Sequence, residues 1–143
     1  MEKVKIVYWS STGNTEAMAN AVADGVKEAG KEAELLTVDA VDKAALLAEP
    51  AFALGCPSMG SEQLEEDEME PFVADIEGSI SGKQIVLFGS YGWGDGEWMR
   101  DWAERMEKAG ATVIGGEGII ANEEPDADAV KQCKEAGKKL AGL

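Results

Sequence analysis

The chain has 143 residues, enough for one domain with a proper core and too few for two. It carries 28 acidic residues against 13 basic ones, a formal net charge of −15, and no histidine. The missing imidazole excludes Ser-His-Asp and Cys-His nucleophile systems, histidine general bases and every metal site that needs an imidazole ligand. The acidity excludes sequence-independent nucleic-acid binding, which depends on Lys and Arg neutralising phosphates, and favours long-range attraction to basic partners. With 45% hydrophobic and 29% charged residues the composition is globular rather than that of a disordered acidic tail. No apolar run approaches the ~20 residues of a membrane span, and the N-terminus runs straight into a strand pattern without a signal-peptide core. Cys56 and Cys133 make no disulfide framework and sit on apolar elements, so both are expected in the core. The expected compartment is the cytoplasm.

Val4–Trp9 is rich in β-branched and aromatic residues and ends at Ser10-Ser11-Thr12-Gly13, which predicts a first strand. Met18, Val22 and Val26 then recur every fourth residue up to Gly30, which predicts an amphipathic helix capped by Thr12 or Asn14. Leu35–Val38 reads as a second strand, Asp42–Ala48 as a weak helix, and Ala51–Cys56 as a third strand halted by Pro57. Glu70–Ile76 reads as a helix and Gln84–Gly89 as a fourth strand. Glu97–Ala109 is a helix whose Met99, Trp102 and Met106 share a core face. Thr112–Ala121 is a fifth strand interrupted by Gly115, Gly116 and Gly118, and Pro125 opens a last helix with Val130, Cys133 and Leu140 on its apolar face. Five alternations of strand and helix without a linker or repeat predict one domain, residues 1–143, built on a parallel sheet with helices on both faces.

In such a sheet ligands bind beyond the carboxyl ends of the strands, and three of those ends are unusual. Ser10-Ser11-Thr12-Gly13-Asn14-Thr15 offers four hydroxyls, an amide and the free N–H groups of a helix start, which suit a phosphate. It lacks the Lys of a nucleotide-hydrolysing loop, the Cys and Arg of a phosphatase loop and the three spaced glycines of a dinucleotide site. It can therefore hold a phosphate monoester by neutral donors and do no chemistry on it; an ordinary Ser/Thr-rich cap is the bland account of the same residues. Gly89-Ser90-Tyr91-Gly92-Trp93-Gly94-Asp95-Gly96 sets two aromatics among four glycines, either a tight turn folded on the core or a stacking platform for a flat ligand. Gly55-Cys56-Pro57-Ser58-Met59-Gly60-Ser61-Glu62 supplies a soft apolar surface and a flexible peptide. Glu62 opens an acidic run, and residues 44–82 hold nine carboxylates with no Lys or Arg. Such runs are commonly solvated faces.

A phosphate loop and two loops fit to enclose a planar ring describe a site for a mononucleotide with an aromatic head. The motifs resemble those of the flavodoxins, specifically the short-chain kind of anaerobic bacteria. Tyr8-Trp9-Ser10-x-Thr12-Gly13-Asn14-Thr15 is similar to the family's phosphate loop, and Met59-Gly60-x-Glu62 and Ser90-Tyr91-Gly92-Trp93-Gly94-Asp95-Gly96 to its two flavin loops. Ser11 and Pro57 depart from the pattern, standing where a Gly and a small polar residue or Ala are usual. The resemblance covers nearly the whole chain. It implies a flavodoxin-like three-layer α/β/α sandwich with a five-stranded parallel sheet ordered 2-1-3-4-5. It also implies non-covalently bound FMN, cycling between semiquinone and hydroquinone as a low-potential one-electron carrier rather than an enzyme.

By the same resemblance Ser10, Thr12, Asn14, Thr15 and Ser90 would hold the phosphate, with Ser11 and Gly13 completing the loop. Met59 and Trp93 would flank the ring, and the Glu62 carboxylate would accept from the flavin N3–H. Tyr91, Gly92 and Gly94 would reach the ribityl chain and ring edge through their backbone, with Asn122. Pro57, Ser58, Ser61, Asp95 and Gly96 complete the two loops. The Gly60-Ser61 peptide would be the moving part, its carbonyl turning to accept from a protonated N5. Carboxylates such as Glu65, Glu66 and Asp67 would make the last electron harder to accept. Expected partners are redox enzymes with basic docking patches, such as ferredoxin-dependent oxidoreductases and flavodoxin reductases, met by a monomer away from nucleic acid and membrane. A small FMN-dependent reductase of the quinone-reductase type is the alternative on this fold. A phosphorelay receiver is disfavoured, because it needs an acidic cluster, an Asp and a Lys where this chain has Ser-Ser-Thr, Cys-Pro-Ser and Ala-Asn-Glu.

Overall fold

The computed structural model of the chain describes residues 2–143. Strands β1 (Lys3–Tyr8), β2 (Glu32–Thr37), β3 (Ala51–Gly55), β4 (Gln84–Tyr91), β5 (Thr112–Val113) and β6 (Ile119–Asn122) form one parallel sheet. Its order is β2-β1-β3-β4, with β5 and then β6 both pairing with β4 beyond. The helices are α1 (Asn14–Glu28), α2 (Lys43–Leu47), α3 (Met69–Ile76), α4 (Glu97–Lys108) and α5 (Ala127–Ala141), with a single 3-10 turn at Glu77–Ser79. The order 2-1-3-4-5 expected from the sequence is the one observed, and the chain reverses its direction across the sheet between β1 and β3. That reversal opens the crevice in which ligands of such sheets sit.

Period-two alternation along each strand builds the two faces. Phe52 and Leu54 of β3 and Ile85 and Leu87 of β4 join Met69, Val73, Ile76, Trp98, Trp102 and Met106 beneath α3 and α4. Ala51, Ala53, Val86 and Phe88 point the other way, toward α1 and α5. Cys56 and Cys133 lie in these two cores, and burial pushes both thiols up to about 12. Neither is a reactive thiolate at neutral pH. Among the described residues no helix is long and apolar enough to cross a membrane.

Two local readings are corrected. The fifth strand is broken: only Thr112–Val113 and Ile119–Asn122 pair with β4, because Gly115 and Gly116 take φ of +87° and +83° and turn the chain off the ladder. The α1 start is capped by neither Thr12 nor Asn14. Gly13 occupies the cap position at φ +96°, with no side-chain cap hydrogen bond.

The α1–α5 layer depends on two glycines that face each other's helix. A Cβ on Gly25 would run into the Lys134 carbonyl, and one on Gly137 into the Val22 carbonyl. Close approach of these backbones lets the alanine-rich face of the sheet be covered without a void. Gly25→Ala and Gly137→Ala are each expected to cost about 1–3 kcal/mol in urea unfolding, as overpacking does, although alanine is the better helix former. A stability gain in either variant would contradict this packing.

Candidate cofactor site

The carboxyl ends of β1, β3 and β4 carry three loops that enclose a cleft of about 310 Å³. Its lining is Ser11, Thr12 and Asn14 from the first loop, Pro57, Ser58 and Met59 from the second, and Ser90, Tyr91, Gly92 and Glu123. No Lys or Arg is among them. On the first loop Ser10 Oγ accepts the amide N–H groups of Gly13 and Glu16, both at 3.3 Å, so this hydroxyl braces the turn. Among the described residues no hydrogen bond engages the amides of Ser11, Thr12 or Thr15. These unspent donors stand at the positive end of α1, an arrangement that suits an anion.

Thr15 and Ser90, both expected at the phosphate, are buried and occupied with each other. Their hydroxyls lie 3.2 Å apart, and the Ser90 N–H donates to Thr15 Oγ1 at 3.3 Å. Ser90 also accepts, through its carbonyl, the Ser58 N–H at 2.9 Å. One residue at the end of β4 thereby joins the phosphate loop to the Met59 loop.

The Met59 loop is a closed turn. Met59 and Gln63 exchange two backbone hydrogen bonds of 2.8 and 2.9 Å, which leaves Gly60, Ser61 and Glu62 at the tip. Gly60 has φ +51° and Glu62 φ +53°, a region an L side chain seldom adopts. Glu62 is drawn toward α4: its Oε1 accepts from the amides of Asp95, Gly96 and Glu97 at 3.1–3.3 Å. Gly94 permits this approach, since a Cβ there would meet the Glu62 carboxylate. The Glu62 carboxylate therefore links the tip of one candidate flavin loop to the other and leaves Oε2 without a hydrogen-bond partner among the described residues.

In the glycine-aromatic loop Trp93 is 65% exposed, whereas Tyr91 is half-buried against Trp98 with ring centroids 5.6 Å apart. A large indole held out between glycines is the kind of surface a flat ligand covers. Asp95 pairs with Arg100, and Gly96 caps α4. Asn122 does not line the cleft; its side chain donates to the Tyr91 carbonyl at 3.4 Å, beside the 2.8 Å bond from the Glu123 N–H.

The structure adds residues that sequence reasoning passed over. Glu123 lines the cleft at φ +58°. Trp98 donates its Nε1–H to the Cys56 carbonyl at the root of the Met59 loop. Glu65, read with the solvated acidic run, is buried, and its carboxylate accepts from the amides of Asp67, Glu68 and Met69. A wider groove of about 570 Å³ beside Glu77, Asp101 and Arg105 contains none of the three loops.

The flavodoxin family model matches residues 6–137. The chain is 51% identical over 140 residues to a flavodoxin of Clostridium beijerinckii, covering 98% of this chain and 100% of that one. It is 49% identical over 138 residues to a flavodoxin of Megasphaera elsdenii, covering 96% and 98%. The solution structure of two-electron reduced Megasphaera elsdenii flavodoxin superposes with a TM-score of 0.89 at 47% identity, covering 98% of this chain and 99% of that one. The chain belongs to the flavodoxin family. It is thereby an FMN-binding electron-transfer protein and not an enzyme, and full-length matches to short flavodoxins disfavour the reductase alternative.

The Thr15–Ser90 pair is the part of the site most open to a stability test. Thr15→Val keeps the shape of the side chain but leaves the buried Ser90 N–H without its acceptor, at an expected cost of about 1–3 kcal/mol in urea unfolding of the cofactor-free chain. A change under a few tenths of a kcal/mol would show that the pair does not hold the loops together.

Proposed function

We propose that the chain is a low-potential one-electron carrier whose FMN is held in the cleft between the Ser10–Thr15, Pro57–Glu62 and Ser90–Gly96 loops. The observation that carries this reading is the pair of unspent amides of Ser11 and Thr12, in a cation-free cleft whose other walls include Met59 and Tyr91. When bound, FMN would supply the one-electron redox chemistry. Every other task falls to the chain. Hydroxyls of Ser11 and Thr12, the Asn14 amide and the loop N–H groups bind the phosphate, while Ser10 braces the loop and the Thr15–Ser90 pair fixes its depth. Met59 and the exposed Trp93 would cover the two faces of the ring. Glu62 offers Oε2 to an imide N–H while Oε1 keeps its hold on α4. The Gly60-Ser61 peptide, at the tip of a turn closed below it, is free to change the direction of its carbonyl.

Partners in this reading are redox enzymes presenting basic patches, met by a monomeric single domain in the cytoplasm. The charge that faces them is smaller than the sequence implies. Of the nine carboxylates in residues 44–82, Glu49, Glu70, Asp75 and Glu77 pair with Lys5, Arg105, Lys43 and Arg105. Glu62 and Glu65 are taken by helix amides. Glu66, Asp67 and Glu68 remain exposed and, among the described residues, without a cation, shortly after the Met59 loop.

Two outcomes test the reading. The purified protein should be yellow or become yellow on adding FMN, should release fluorescent FMN on denaturation, and should not oxidise NAD(P)H without an added reductase. A colourless chain that fails to take up FMN overturns it. The triple variant Glu66→Gln, Asp67→Asn, Glu68→Gln should raise the second one-electron potential by on the order of tens of millivolts at low salt, and by less at high salt. An unchanged potential at low salt would remove these three groups from the redox field.

A further inference from the structure

We propose that Glu65 is a positioning residue of the cofactor site, whose carboxylate fixes the exit of the turn carrying Met59, Gly60 and Glu62. The inference rests on the FMN reading for its redox consequence alone; its structural part stands on the cofactor-free chain.

The turn needs two fixed feet if its tip is to move without dragging the loop. The entry foot is tied to the sheet. Ser58 N–H donates to the Ser90 carbonyl at 2.9 Å, and Trp98 Nε1–H to the Cys56 carbonyl at 3.1 Å. The exit foot has no strand to pair with, since the chain passes from Leu64 through a turn at residues 66–68 into α3. Glu65 supplies the missing anchor. Its carboxylate accepts from Asp67, Glu68 and Met69 at 2.8, 2.7 and 3.0 Å, its carbonyl from the Glu70 N–H at 2.8 Å, and its own N–H lies 3.4 Å from Cys56 Sγ. The last contact brings the exit back to the entry foot.

A carboxylate that is only 6% exposed is costly to ionise unless backbone donors surround it. Burial pushes Glu65 toward protonation, and its three amide donors outweigh that and bring its pKa below the ordinary carboxylate value. The neighbouring Glu66, Asp67 and Glu68 are exposed and hold nothing, so charge alone does not distinguish Glu65 from them; its geometry does.

The test separates position from charge. Glu65→Gln removes the charge and sets amide hydrogens against amide hydrogens. Glu65→Asp keeps the charge on a shorter side chain that cannot span the same donors, and it carries the test alone if the first variant does not fold. Glu66→Gln is the control. Amide hydrogen exchange is measured on the cofactor-free chains, and FMN affinity with both one-electron potentials on the loaded ones. In Glu65→Gln and Glu65→Asp, amides of residues 59–69 should exchange about tenfold faster or more, the factor for losing one charge-assisted hydrogen bond, while β1 and β3 keep their protection. The FMN dissociation constant should rise by a similar factor, and the separation of the two potentials should change. Glu66→Gln should leave exchange unaltered and change the FMN dissociation constant far less than either Glu65 variant.

Faster exchange confined to residues 67–69 would reduce Glu65 to a cap of α3 and overturn the proposal. So would loosened loop amides with unchanged affinity and potentials, or a Glu65→Asp chain that matches the wild type throughout. If the wild-type chain takes up no FMN, the cofactor reading fails by itself, and exchange at residues 59–64 still decides whether Glu65 fixes the turn.

Discussion

The site depends on what happens at one buried serine. Ser90 is the last residue but one of β4, and each of its polar groups is used in holding something else: Thr15 through N–H and hydroxyl, Ser58 through the carbonyl. Two loops that are 40 or more residues apart in sequence are thereby referred to the same atom set in the centre of the sheet. Buried polar groups of this kind must be paired, so the junction is either complete or expensive. Only from such a fixed base can a short turn at Gly60 be mobile while the cleft around it keeps its shape.

Much of this was legible in the chain itself. Apolar runs broken by Ser, Pro and Gly marked each strand end, and the switch from period two to every fourth residue marked the helices. The three loops followed, because a parallel sheet leaves few places for ligand-facing residues, and the resemblance to flavodoxins supplied the strand order. What escaped were features that residue types and spacing alone do not decide. Thr15 and Ser90 looked like two phosphate donors, since nothing local says that they would meet each other 75 residues apart. Glu65 looked like one more solvated acid among Glu66, Asp67 and Glu68, because no local pattern told which of four neighbouring carboxyls would fold back onto the amides of Asp67, Glu68 and Met69. The fifth strand was read through Gly115 and Gly116, whose positive φ breaks the ladder.

In the folded chain most of the acidic stretch is engaged. Arg105 alone absorbs two of its carboxylates, bridging α4 to Glu70 at 2.8 Å and to Glu77 at 2.7 Å, and this interaction holds Glu77 below the ordinary carboxylate range. Stability from that contact is present above the unfolded pKa of a glutamate and is lost as pH falls through the lowered folded value. Negative charge in residues 44–82 is thus divided between groups that fasten helices and turns and the three exposed carboxylates of Glu66, Asp67 and Glu68.

The absence of any cation from the cleft has a kinetic consequence. A phosphate monoester is an anion, and it must approach a molecule of net charge −15 that offers only neutral donors at the end of its path. The long-range field opposes that approach, while the short-range amide contacts that hold the phosphate are scarcely touched by mobile ions. Added salt should therefore speed the capture of FMN while leaving its release nearly constant, the reverse of the behaviour of a phosphate site built on lysine and arginine.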